Sequence, residues 1–151
     1  MVNRIRVDSP IGPLTVSEEN GALTQVLFGA HEEAGEKVPV LAEAERQLRE
    51  YFSGTRREFD LPLNPSGTEF QKAVWRALQA IPCGETRSYA EIARAVNRPR
   101  AFRAVGMANH CNPIPVIIPC HRVVGANGAL TGYAGGLPFK EFLLRLEGSL
   151  R

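Results

Sequence analysis

Residues Ile114–Val124 read IPVIIPCHRVV, and they hold the residue types with the clearest chemical potential in the chain. Cys120 is followed directly by His121, so a thiol and a group able to take its proton share one short segment. That pairing suits a nucleophile that attacks as thiolate, with the imidazole as base directly or through a water. The apolar run before it leaves another reading open, a buried structural cysteine that stays protonated and inert. Pro119 stiffens the approach to the thiol. Beyond Val123 and Val124, GANGALTGYAGG places five glycines in twelve residues, a backbone that can lie close against a planar ligand. His110, Cys111, Cys120 and His121 offer a metal four possible ligands. Neighbouring side chains in extended chain point apart, however, and the spacing lacks the short Cys-x-x-Cys pairs of structural zinc sites, so no metal is expected. Cys83 and Cys111 are expected to fill space.

The elements around this segment are mostly helical. Thr68 with Gln71 forms a capping-box pattern ahead of an apolar stripe of Phe70, Val74, Trp75, Leu78 and Ile81, and Pro82 ends it. Ser88 with Glu91 repeats the pattern for a helix whose apolar face is Ile92, Ala93 and Val96. Asn97-Arg98-Pro99 interrupts, and a further helix is expected from Arg100. Two helices so close together form a candidate helix-turn-helix. Five arginines and one glutamate lie between Arg87 and Arg103, which suits phosphate contact. The second helix carries Ala101, Ala104, Gly106 and Ala108, small enough for close approach to a narrow minor groove. Arg103 stands among them as a side chain able to fill a gap in a base stack. Two ordinary core-packed helices with solvated arginines fit the same residues. Pro138 opens a final helix on Phe139, Phe142, Leu143 and Leu146, closed by Gly148.

The first part of the chain shows no chemistry. IGPLTVS and ALTQVLF read as strands, with Asn20-Gly21 as a hairpin turn. Leu41, Ala44, Leu48 and Phe52 have helical spacing. Phe59, Leu61 and Leu63 alternate as in an edge strand, and Pro62 agrees with an edge. The expected fold class is α+β: a small N-terminal α/β domain over residues 1–64, then a helical C-terminal domain over 65–151 with a helix-turn-helix and an active-site cysteine segment. Residues 1–65 hold seven Lys/Arg against eleven Asp/Glu, a net of −4, whereas residues 66–151 hold eleven against five, a net of +6. The basic half therefore suits a polyanion. With 151 residues, 44% of them hydrophobic, the chain can bury a sizeable core. It shows no membrane-length apolar run and no secretory h-region. Three irregularly spaced cysteines argue for a reducing, cytoplasmic setting.

IPCHRVV, followed by GALTGYAGG and accompanied by SYAEIA, RAVG and KEFLLRLEG, resembles the active-site half of the O6-alkylguanine-DNA alkyltransferases. The resemblance spans residues 68–148, and DSPIGPL at 8–14 is also similar to that family. It implies direct DNA repair. Cys120 would take the alkyl group from O6 of an alkylguanine, with O4 of alkylthymine as an alternative donor. The thioether would be irreversible, so each molecule acts once, as a monomer and without a cofactor. The partner implied is double-stranded DNA containing O6-alkylguanine.

By the same resemblance, His121 would take the thiol proton through a water, Glu147 would orient His121, and Asn112 would tie the thiol segment to the helix-turn-helix. Tyr89 would help to turn the nucleotide out, and Arg103 would take its place in the stack. Ser88, Arg100, Ala101, Phe102, Ala104, Gly106 and Arg122 complete the implied DNA contacts. The carbonyls of Cys120 and Val123 would receive the guanine amino group, with Asn109, Gly132, Tyr133 and Ala134 around the base. Phe102 stands where the family commonly has alanine, and Ala134 brings no side-chain hydroxyl. A recognition-only relative of this family would carry another residue in place of Cys120. A cysteine hydrolase would have no use for the arginine-rich helix pair.

Overall fold

The computed structural model describes residues 1–150. The chain divides into two compact units, Met1–Ser66 and Gly67 onwards.

The first unit is built on a three-stranded antiparallel sheet, β1 (Val2–Val7), β2 (Leu14–Glu19) and β3 (Ala22–Phe28), in that order. Asn20 and Gly21 join β2 to β3, with φ of 55° and 84°. Both residues are therefore left-handed, as a two-residue hairpin that matches strand twist requires. The helix α1 (Pro39–Phe52) buries Leu41, Ala44, Leu48 and Tyr51, and the sheet buries Ile5, Val7, Leu14, Val16, Leu23 and Val26. The strand expected over Phe59–Leu63 does not form. Only a single parallel bridge joins Leu23 to Leu63. The Gln47 amide on α1 instead takes up both backbone groups of Asp60, donating to its carbonyl at 3.0 Å and accepting from its N–H at 2.8 Å. Pro62 has no N–H to extend a ladder. β1 had no counterpart in the expected elements.

The second unit contains α2 (Glu69–Gln79), β4 (Arg87–Ser88), α3 (Tyr89–Ala95), α4 (Phe102–His110), a 3₁₀ turn over Cys120–Arg122, β5 (Val123–Val124) and α5 (Leu137–Glu147). Both capping boxes form with their reciprocal bonds, Thr68 with Gln71 and Ser88 with Glu91. Trp75 is fully buried and donates from Nε1 to the Ala108 carbonyl at 2.8 Å. Ala108 therefore lies beneath α4, not on the outer face with Ala104. α4 begins at Phe102, two residues later than expected, with Ala101 as an N-cap that supplies no side-chain bond. Gly148, at φ 88°, closes α5 in the left-handed conformation.

The run ahead of the thiol is not extended. Ile118 N–H reaches back to the Ile114 carbonyl at 2.9 Å, and Val116 holds φ 72°. Pro113, Pro115 and Pro119 cannot donate to a strand ladder, so this apolar stretch folds into turns packed in the core. A positive φ at a β-branched residue costs on the order of 1–3 kcal/mol, sustained here by the surrounding packing. Directly after the thiol, β5 pairs in parallel with β4, setting Val123 against Arg87 and Val124 against Ser88. This fixes the exit of the thiol segment at the start of α3.

Candidate active site

Cys120 sits at the first position of the 3₁₀ turn and is 2% exposed. Burial pushes its pKa up to about 11, against the opposing influence of the Asn112 side chain and the Lys140 ammonium. At neutral pH the resting thiol is therefore protonated.

His121 is fully buried, and its Nε2 lies 2.7 Å from Glu147 Oε2. Burial penalises the charged imidazole and holds its pKa below the usual histidine value, outweighing the nearby Glu147. Glu147 is held down at about 2: its own burial raises it, and hydrogen bonds from His121 and Arg122 more than reverse that. A carboxylate can only accept, so neutral His121 carries its proton on Nε2 and leaves Nδ1 bare. Nδ1 is buried and has no hydrogen-bond partner. The ring is thus set as a proton acceptor. Tyr133 meets it edge-on, with centroids 6.5 Å apart at 89°.

Arg122 departs from its expected place. It does not face solvent as a DNA contact; it is buried. Nε and Nη2 donate to Glu147 at 2.9 Å each, and Nη1 donates to the Ile81 carbonyl at 2.6 Å. Its charge neutralises Glu147 in the interior, which is why Glu147 can orient His121 without forcing it to stay protonated.

Asn112 spans the turn ahead of the thiol, donating from Nδ2 to Ile118 at 2.8 Å and accepting from Ile114 N–H at 3.0 Å. Asn109, at the inner face of α4, donates to the Cys120 carbonyl at 3.2 Å. The Tyr89 hydroxyl lies 2.5 Å from Thr131 Oγ1, which links the start of α3 to the glycine-rich segment. Val123 and Tyr133 are buried, whereas Gly132 and Ala134 are exposed.

Lys140 went unmarked in the sequence. It is 0% exposed, and its Nζ donates to the Val123 carbonyl at 2.6 Å and to the Thr131 carbonyl at 3.1 Å. Burial lowers its pKa to about 8, opposed by the neighbouring Cys120. The available signal was its spacing on α5. Lys140, Leu144 and Glu147 fall on one face, with charged groups at both ends of an apolar stripe.

The DNA-facing candidates form a second group. Arg100, Phe102, Arg103 and Ala104 are exposed, and Ser88, Ala101 and Gly106 are partly so. Phe102 is 50% exposed. His110 and Cys111 are exposed while Cys120 and His121 are buried, so these four do not converge. Among the described residues no three His, Cys, Asp or Glu side chains are grouped to hold a metal. The arrangement as a whole presents a protonated thiol, a bare imidazole nitrogen and an oriented carboxylate. That combination can deprotonate sulfur as it attacks an electrophile.

The chain matches two family models: "6-O-methylguanine DNA methyltransferase, DNA binding domain" over residues 69–149, and the "ribonuclease-like domain" of the same name over residues 5–65. A methylated-DNA–protein-cysteine methyltransferase of Methanosarcina acetivorans is 53% identical, the alignment covering 94% of this chain and 96% of that one. The constitutive enzyme of that name from Bacillus subtilis is 48% identical, with coverage of 93% and 92%. Among solved structures, the Mycobacterium tuberculosis OGT in complex with DNA superposes with a TM-score of 0.86 at 47% identity, covering 95% of this chain and 91% of that one. The O6-methylguanine methyltransferase of the same organism gives 0.87 at 47% identity, covering 100% and 95%.

Proposed function

From the premise that this chain belongs to the O6-methylguanine DNA methyltransferase family, we propose that it repairs DNA directly, by moving the alkyl group from O6 of an alkylguanine in duplex DNA onto Cys120. The observation that carries this reading is the buried Cys120 beside a His121 whose tautomer Glu147 fixes. As sulfur attacks the alkyl carbon, an S–C bond forms and the C–O6 bond breaks, its electron pair leaving on O6. The thiol proton passes, through a water, to His121 Nδ1. Glu147 holds the transient imidazolium, and the proton is finally returned to the guanine. Sulfur supplies the electron pair, so the step draws on no cofactor. The thioether has no hydrolytic exit, and each molecule acts once.

The base must leave the stack to reach a thiol this deeply buried, at a cost of a few kcal/mol that alkylation reduces. Arg103, exposed on the first turn of α4, would fill the vacated space, with Arg100, Phe102 and the small residues against the groove. Tyr89, hydrogen-bonded beside the glycine-rich segment, would meet the base at O6 and ease its departure. The chain would act as a monomer in the cytoplasm, where its cysteines stay reduced. No helix among the described residues is long and apolar enough to cross a membrane.

The test is stoichiometric. Excess duplex carrying one O6-methylguanine is incubated with the protein, and the remaining lesion is quantified by nucleoside chromatography. One lesion lost per protein, and none with Cys120→Ser, supports the proposal. Continuing turnover would point to a hydrolase and overturn it.

A further inference from the structure

Phe102 occupies the first position of α4, directly before Arg103, and half of it is exposed. A lone exposed apolar side chain is ordinary on a protein surface, so its position must give it meaning. Gly106 lies one turn further on, four residues after Phe102 and three after Arg103. Both side chains therefore stand beside the same gap in the helix surface. A Cβ added at Gly106 would meet the Tyr89 ring at 3.8 Å, so the gap opens onto Tyr89. Phe102, Arg103 and Tyr89 thus border one patch, and only the last two have a part in turning the base out.

The surroundings of the ring select its occupant. Arg98, Arg100 and Arg103 are all exposed around it. The first turn of α4 has no acidic residue, and Ala101 gives it no side-chain cap, which leaves its first N–H groups to an outside anion. An apolar ring set among cations suits a nucleic-acid duplex, where flat apolar bases stack between two lines of phosphate. We propose that Phe102 is a wedge. As Arg103 fills the slot of the turned-out base, the Phe102 ring enters the base step on one side of that slot and keeps it unstacked. A phenyl ring has about the thickness of a base, so the step opens by one stacking distance, roughly 3.4 Å. Phe is among the residues that open and kink a step from the minor groove. Phe102 then also sets flank preference, because pyrimidine–purine steps unstack readily and stiff A-tracts do not. The inference rests on the base-turning reading of the site.

The test uses Cys120→Ser, which holds a lesion duplex without transfer, with and without Phe102→Ala. Two duplexes carry one O6-methylguanine each, with 2-aminopurine as its 5′ neighbour in one and its 3′ neighbour in the other. The fluorescence of 2-aminopurine rises when it unstacks. At saturating protein the parent is expected to raise the signal on both sides, and Phe102→Ala to lose most of the rise on one side only. The variant is also expected to bind about tenfold more weakly, the loss of one stacked base, with its melting temperature unchanged. Signals indifferent to Phe102, or tighter binding by the alanine variant, would overturn the wedge. An equal fall on both sides would also overturn it and leave a residue that only aids the turning out. Methyl transfer by the wild type, followed by intact mass, separates the two readings. Transfer with signals indifferent to Phe102 overturns this inference alone, whereas no transfer and no signal on either side overturns the base-turning reading and this inference with it.

Discussion

Replacing Glu147 by Gln tests the interior charge arrangement and the proton path together. Glu147 is buried and takes three hydrogen bonds, one from His121 and two from Arg122. In Glu147→Gln, one amide oxygen must serve both donors, or the new NH2 group must face Arg122, which cannot accept, or a His121 forced into its other tautomer. Arg122, itself buried, loses its counter-charge. Breaking a buried pair in this way costs about 3–5 kcal/mol. For a chain of this size that corresponds to a fall in Tm of roughly 6–20 °C. His121 now competes with Arg122 for one neutral oxygen beside an NH2 that can donate, so its tautomer is no longer fixed, and alkyl transfer is expected to slow by about 10²–10⁴-fold, the range for removing such an orienting carboxylate. Adding Arg122→Met removes the stranded charge and should recover more than half of the lost stability, because uncharged replacement of both partners is often neutral. The assay is calorimetry on the wild type, both singles and the double, with single-turnover rates on a lesion duplex. A Glu147→Gln protein that melts within 2 °C of wild type, or a double variant no more stable than the single, would refute the charge argument. An unchanged transfer rate would refute the tautomer argument.

Other outcomes follow from the same structure. With its pKa near 11, Cys120 is thiolate in only about one molecule in 10⁴ at pH 7, so iodoacetamide should label exposed Cys111 well before Cys120, as read by peptide mass mapping; Cys120 labelled first would contradict a protonated buried thiol. His121 and Glu147 both have folded pKa values depressed below their unfolded values of 6.5 and 4.5. Depressed values add stability above the unfolded pKa, so it should be lost as pH falls below about 6.5, and further from 4.5 towards 2; denaturant midpoints measured from pH 8 to pH 3 should fall accordingly, and a flat profile would contradict the assignment. Arg103→Ala should slow repair of duplex more than reaction with the free base O6-benzylguanine, and equal loss on both would remove its role in the stack.

The parts of the fold that depend on local chemistry were legible in the sequence. The two capping boxes and the Asn20-Gly21 turn satisfy backbone groups within a few residues, so their patterns survive in any tertiary setting. Gly148 closed α5 for the same reason. The expected strand near Phe59–Leu63 was lost to a distant partner, since Gln47 on α1 occupies the Asp60 backbone. β1 alternates buried Asn3, Ile5 and Val7 with arginines, a period of two that its polar half obscured. Cys120 and His121 stood out by residue type and adjacency, Glu147 and Asn112 through their family setting, and the structure brings His121 onto Glu147 and Asn112 onto the thiol segment. Arg122 was assigned to DNA and Lys140 went unmarked because a lone basic residue reads as solvated. Only the fold shows that one is consumed by a buried carboxylate and the other by two main-chain carbonyls.

The most direct test of the central claim is mass spectrometry of the protein after incubation with a duplex carrying one O6-methylguanine, first intact and then as peptides. The account predicts a gain of one methyl group, saturating at one per protein and located on Cys120, with nothing gained by Cys120→Ser. An unchanged mass, with the duplex bound and its lesion intact, would contradict it and leave a protein that recognises the damage without repairing it.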